Sequence, residues 1–382
     1  MRLKFRTFGL VAGFALVLAT RPAGADYLVT KLVSDVPGLA ANTDPNLKNP
    51  WGVSASGSGP FWVANQGSNS STLYNGSGGS IPLVVTIPTT TGGPNGPTGL
   101  VFNGTTDFAL SNGRAATFLF ANLNGQISGW NSGLGTSGSV TALNAVTNTG
   151  AIYTGLAMGQ ANAVNFLYAA DAKGNKVDVY DSRFGNLDNS LFSGKFADPA
   201  LTAAGFRVYN VQNIGGNQIA VTYDSLANNG NPAISGGAVA IFDAAGNLVR
   251  DFSNGPGGPL QDPWGVVIAP AGFGRFGGDL LVGDQESGRI NAFDPASGAF
   301  LGLVATITND PTSTNNGLWA LAFGNGRTSG DANTLYAFAG INNEVDGLMA
   351  SVTSVPEPGS ILLLGIGGTL AGLAARRRRA RP

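Results

Sequence analysis

Apolar residues fall in short runs closed by Gly, Asn, Asp or Pro, and the runs recur in groups. Each group opens on a triplet with a central residue between an aromatic residue or Thr and an aliphatic one. The copies are Trp51-Gly52-Val53, Thr98-Gly99-Leu100, Thr154-Gly155-Leu156, Tyr209-Asn210-Val211, Trp264-Gly265-Val266 and Trp319-Ala320-Leu321, spaced by 47, 56, 55, 55 and 55 residues. The fourth and sixth copies lack the central Gly. A second run rich in aromatic and β-branched residues follows at 61–64, 117–121, 166–170, 218–223, 279–283 and 334–339, the composition of half-buried strands. Asn65, Asn122, Asp171 and Asp284 close four of these runs, the residue types that shape tight turns by accepting backbone N–H bonds. Third runs stand at 126–130, 176–180, 238–242 and 289–293, and outer runs at 83–87, 248–252 and 300–304. Helix-period runs are missing outside the two ends. Four short strands in each of six units is the arithmetic of an all-β, six-bladed propeller with four-stranded antiparallel blades. A pair of β-sandwiches or a parallel β-helix are the alternatives, the repeat being far longer than a β-helix coil.

The last repeat runs out after its third strand, 348–352, while a spare strand, 27–33, stands at the N-terminus. The expectation is that the spare strand supplies the outer strand of the last blade and removes an open edge.

Composition agrees with that architecture. Gly makes up 58 of 382 residues, about twice the usual ~7%, as inner strands crowded round an axis and many turns require. With no Cys and no His, disulfides, Cys-ligated zinc, thiol nucleophiles and the Ser-His-Asp triad are excluded. The net charge of −1 hides a cancellation. Residues 26–358 hold 12 basic and 22 acidic residues, a charge of −10, so nucleic acid is not an expected partner.

Both ends read as addresses. Arg2, Lys4 and Arg6 precede an apolar run at 8–19, and Ala23-Gly24-Ala25 fits small-residue cleavage. Residues 1–25 are therefore expected to be a secretory signal peptide cut after Ala25; an uncleaved anchor or a buried helix are the alternatives. At the other end, residues 355–382, Val355-Pro356-Glu357-Pro358 leads into an uncharged run at 359–375 and an arginine cluster at 376–381. That run is ~26 Å long as a helix, enough for a thin bilayer, and an ordinary C-terminal anchor is the bland reading. The order of Pro-Glu-Pro, span and arginines resembles the PEP-CTERM sorting signal of Gram-negative bacteria. That resemblance implies recognition by an exosortase, a transient inner-membrane anchor, and a cell-surface or extracellular-matrix destination alongside exopolysaccharide.

The propeller body is expected to span 26–354, and within it roughly residues 27–352 resemble NHL-type propellers, and more closely an uncharacterised family of PEP-CTERM-associated propellers. The residues that carry this are Tyr27-Leu28-Val29-Thr30, Leu32-Val33-Ser34-Asp35, Thr43-Asp44-Pro45-Asn46-Leu47, Asn49-Pro50-Trp51-Gly52 and Asn316-Gly317-Leu318-Trp319-Ala320-Leu321. The resemblance brings fold and address but no mechanism.

Candidate chemistry gathers where the inner strands begin. Asn49, Asn95, Arg207, Asp262 and Asn316 precede the triplets, and Trp51, Tyr209, Trp264 and Trp319 stand just after. Aromatic faces interleaved with amides suit sugars; the same aromatics serve equally as core between blades. Asp171, Lys173, Asn175 and Asp178 have a spacing loosely like a calcium loop, with Lys173 unfavourable for a cation. Lys48 and Arg207 would likewise repel a divalent ion at the mouth. No catalytic residue stands out. The expectation is a binding or structural module for a glycan or a surface protein, without a required cofactor. The alternative is a calcium-type metal-dependent hydrolase or lyase at the channel mouth.

Overall fold

The computed structural model describes residues 26–355, apart from 91, 226–235, 255–257 and 309–316. The residues expected to form a signal peptide, Ala23 and Ala25 among them, lie outside the described residues, as do Asn316, Pro356, Glu357, Pro358 and the tail.

Six sheets form the blades of a propeller. Each begins with an inner strand that holds one triplet: Pro50–Ala55, Pro97–Phe102, Tyr153–Ala161, Arg207–Gly215, Pro263–Ile268 and Leu318–Phe323. The second strands run antiparallel and return to the same end, so that Pro50 pairs with Asn65, Pro97 with Asn122, Tyr153 with Asp171, Arg207 with Asp224 and Pro263 with Asp284. We call this end the upper mouth and the opposite end the lower one.

Closure follows the sequence expectation. Tyr27–Ser34 pairs antiparallel with Asp346–Ser354 and becomes the outer strand of blade 6. The Val355 amide then donates to Asp26 O at 2.8 Å, so both ends leave the fold together.

Not every blade has four strands. Short extra strands, Gly138–Thr141 and Asn42–Thr43, add in parallel to the outer edges of blades 1 and 6. Blade 3 has three paired strands, corrected from the expected four. Its chain after Tyr180 is rich in Asp, Asn and Gly, and it buries Phe192, Phe196 and Leu201 against blades 3 and 4 instead of pairing. Within that segment lies a five-residue helix, α1 (Pro199–Ala203), absent from the strand pattern. Asp198 caps it by accepting from the Ala200 and Leu201 amides, the geometry that favours Asp at this position.

The hydrophobic core is six clusters: five lie between two adjacent blades, and the sixth packs blade 6 on blade 1 and adds Tyr209 and Trp264 from blades 4 and 5 across the axis. The central triplet position explains the repeat. A Cβ on Gly52 would sit 2.1 Å from Thr98 O, and one on Gly99 2.0 Å from Leu156 N. Inner strands therefore approach through bare backbone, which only Gly permits without displacement. Where Asn210 replaces Gly, its amide crosses to blade 5 and donates to Trp264 O at 2.7 Å.

Candidate functional site

The upper mouth brings the four predicted aromatics together over the axis. Trp51 stacks on Trp319 with ring centroids 3.7 Å apart. Trp264 meets Trp319 edge-on at 6.0 Å, and Tyr209 lies 6.0 Å from the same ring. Trp319 is the hub and only 1% exposed, while Trp51 is 7% exposed. The four rings thus pack mainly on one another and close the channel. Below them a void of about 20 Å³ remains, lined by Gly52, Gly99, Leu156, Asn210 and Gln212 among others, about the space one water needs.

The polar handles of these rings are mostly engaged. Trp319 Nε1 donates to Asn49 Oδ1 at 2.9 Å, and Trp264 Nε1 to Thr154 O at 3.1 Å. Trp51 Nε1 is buried with no partner among the described residues. Burial lifts the Tyr209 hydroxyl well above its ordinary range, with the charges of Asp224, Glu344 and Asp262 adding to the effect.

Around the plug runs a ring with two unlike halves. On blades 1 and 2 the polar groups are amides joined in a chain. Asn49 Nδ2 donates to Gln66 Oε1 at 2.9 Å, Gln66 Nε2 to Asn95 O at 2.8 Å, and Asn124 Nδ2 to both Asn95 Oδ1 at 3.3 Å and Gln126 Oε1 at 3.0 Å. Asn49 holds φ at 44°, a left-handed conformation that Asn tolerates better than most residues. Its Oδ1 fills the space where a Cβ on Gly340 would stand. That is why the last blade ends its second strand on Gly where the others use Asn or Asp.

On blades 4 to 6 the ring is acidic. Arg207 Nε pairs with the buried Asp224 at 3.0 Å. Asp224 Oδ2 has no partner among the described residues, and burial pushes this carboxyl up to about 7, against the lowering pull of Arg207. Asp262, with φ 54°, accepts from the Ser225 amide and hydroxyl at 3.3 and 3.4 Å, and its carboxyl is raised by burial. Asp284 accepts from Asn291 Nδ2 at 2.7 Å and is raised well above the usual range by burial. Glu344 receives Gln285 Nε2 and ends three successive left-handed residues, Asn342, Asn343 and Glu344. Such a run of strained backbone is costly, and it brings Glu344 to the mouth.

The sequence pattern missed Gln66, Asn124, Gln126, Asp224 and Glu344. The first three follow the Asn that ends a second strand, so the turn after that Asn was their signal. The loose calcium spacing is not assembled. Asp171 Oδ1 accepts from the Ile152 and Lys173 amides, Asn175 Oδ1 from Val208 N, and Asp178 pairs with Lys176 and accepts from Tyr153. Among the described residues no three carboxylates stand close enough to hold a metal ion.

Fold and mouth together define a closed six-bladed propeller with an aromatic plug and a half-amide, half-acidic ring. Residues 354–379 match the PEP-CTERM protein-sorting motif. This motif implies export and C-terminal membrane-anchored sorting in bacteria. The chain belongs to the family of the uncharacterized proteins R648 and L690 of Acanthamoeba polyphaga mimivirus. It is 32% identical to the first over 340 residues, 87% of this chain and 81% of the relative. To the second it is 30% identical over 345 residues, 87% of each. Among solved structures it is similar in fold to a streptogramin B lyase, with TM-score 0.51 and 10% identity over 87% of this chain and 100% of that one. A virginiamycin B lyase from Staphylococcus aureus has TM-score 0.50 and 12% identity over 86% and 100%.

Proposed function

We propose that this chain is an exported propeller, released from a signal peptide at Ala25 and processed by an exosortase at Val355-Pro356-Glu357-Pro358. It acts at the cell surface or in the extracellular matrix as a binding or structural module. Its ligand is a glycan or the polar surface of another protein, and the upper mouth takes it. The observation that carries this reading is the chained amide belt of Asn49, Gln66, Asn95 and Asn124 beside the unpartnered Trp51 indole N–H. Amides arrayed on a rigid closed scaffold match hydroxyl donors and acceptors with little ordering cost. Arg207, Asp262 and Glu344 on the other half favour a ligand that also offers charge. The test is a glycan array and a surface-protein pull-down with the full chain, alongside Asn95→Ala with Asn124→Ala. Capture by the native chain that the double variant loses supports the reading. Empty results in both assays, with a folded protein, sink it.

A further inference from the structure

The described residues leave few large hydrophobic side chains exposed, and most gather in one place. Leu248 and Val249 begin the outer strand of blade 4, and Phe300 and Leu301 that of blade 5. They are 44, 49, 48 and 38% exposed. Register puts all four at the lower end, since Leu248 pairs with Phe242 and Phe300 with Phe293, where the third strands finish. Leu28, 56% exposed, lies at the lower end of the blade 6 outer strand opposite Thr353. Val355, also about half exposed, continues from that point into the sorting segment. A rim of aliphatic and aromatic side chains across three consecutive blades exceeds the scattered apolar residues usual on a soluble surface.

The exit of the chain says what covers this rim. Only residues 355–358 separate the last strand from the uncharged run at 359–375, a reach of at most ~14 Å when fully extended. The exit is also firmly built. Tyr27 OH donates to Phe273 O at 2.7 Å and accepts from the Phe276 amide at 3.1 Å. Arg275 pairs with Asp26 at 3.3 Å and lies 4.9 Å over the Phe276 ring. The propeller is therefore held close to whatever holds the tail.

We infer that, while the tail anchors it, the propeller rests on the bilayer through the lower rim of blades 4 to 6. Leu28, Leu248, Val249, Phe300 and Leu301 enter the headgroup and upper acyl region, the depth at which apolar side chains of peripheral proteins gain most. Arg275 can keep its guanidinium among the headgroups. The upper mouth then faces away from the membrane. This inference rests on the membrane-anchored sorting reading and adds the orientation and the docking surface.

The chain has no Cys, so single reporters are clean. Leu248→Cys, Phe300→Cys and, at the exposed upper turn of blade 3, Lys173→Cys would each carry an environment-sensitive dye. The full chain is reconstituted into phosphatidylethanolamine–phosphatidylglycerol vesicles with or without brominated acyl chains. The expected result is bromine-dependent loss of fluorescence at 248 and 300 and none at 173. Vesicle-bound protein with all three positions equally bright overturns the inference and leaves anchoring intact. Loss that follows protein density without bromine overturns it in favour of a second copy on the rim. A chain that does not float with vesicles overturns the anchoring reading and this inference with it.

Discussion

Mild acid should stabilise this propeller. Asp224 ionises near 7 and Asp178 near 6 in the folded chain, both raised from 3.8 chiefly by burial. A raised carboxyl keeps its proton in the folded state over a range where the unfolded chain has lost it. Its contribution is therefore complete below about 3.8 and is lost as pH rises through the folded value. Between pH 7.5 and 5.0 this gives roughly 2 to 3 kcal/mol for Asp224 and about 1 kcal/mol for Asp178. Asp262 and Asp284 shift the same way, whereas Asp188, lowered through Asp178 and Lys176, acts below this window. At about 2.1 cal/mol/K per residue over roughly 330 residues, a total near 4 kcal/mol is a rise in Tm of roughly 6 °C. Calorimetry of the folded protein at pH 7.5, 6.0 and 5.0 reads this directly. Asp224→Asn keeps an acceptor for Arg207 and removes the proton linkage, so it should flatten more than half of the slope and raise stability at pH 7.5. A Tm that is level or falls on acidification, or an Asn variant with an unchanged slope, refutes the reasoning.

Other consequences follow from particular contacts. Arg207→Ala should destabilise by about 3 kcal/mol at pH 8, because a buried charge loses its partner, and by much less at pH 5; urea titrations at the two values separate them. Gly99→Val should cost about 3 kcal/mol or more, since even a Cβ meets the blade 3 backbone at 2.0 Å, and a shift of under 1 kcal/mol in the urea midpoint would contradict the close approach. Removing residues 26–34 should open the ring between blades 5, 6 and 1, read as lost protection of the 346–354 amides in hydrogen exchange; unchanged protection would mean closure does not depend on this strand. Gly340→Asn would collide with Asn49 Oδ1 and should release the Trp319 indole bond, visible as a red shift in tryptophan emission.

Repetition made the fold legible. The Gly-centred triplet recurs because two backbones meet there, and a contact that favours Gly so strongly leaves the same mark in four of the six copies. The closing strand was legible for a related reason: three strands at one end and a spare at the other leave one arrangement without an open edge. Blade 3 hid its departure, because Phe192 and Phe196 look like strand residues until Asp, Asn and Gly around them are seen to forbid pairing. The added strands at 42–43 and 138–141 are too short and too polar to carry a period. The mouth was half legible. The spacing placed Trp51, Tyr209, Trp264 and Trp319 at one level, but equal level does not say which way a ring turns, and these turn towards one another.

That inward turn changes what the mouth can do. A tryptophan that stacks on a ligand needs an open face, and Trp319, held by Asn49 and covered by Trp51, has none. The rings instead form a rigid floor, and the mouth groups that keep partial exposure are Gln66, Asn95 and Asn124 on blades 1 and 2 and Arg207 and Glu344 on blades 4 and 6. Recognition built on such a ring would depend on hydrogen-bond geometry more than on apolar burial, which favours selectivity over raw affinity. The two halves also divide the energetics. The amides are satisfied by each other, so exchanging one partner for a ligand hydroxyl is nearly neutral. Asp224 keeps one oxygen without a partner among the described residues, and a cationic group reaching it or Asp262 would offset the desolvation that now raises both. A ligand with hydroxyls at one end and an amine at the other would meet both halves. It should therefore bind less tightly as pH falls through about 7 and the Asp224 carboxyl takes up its proton, the pH direction opposite to the stability.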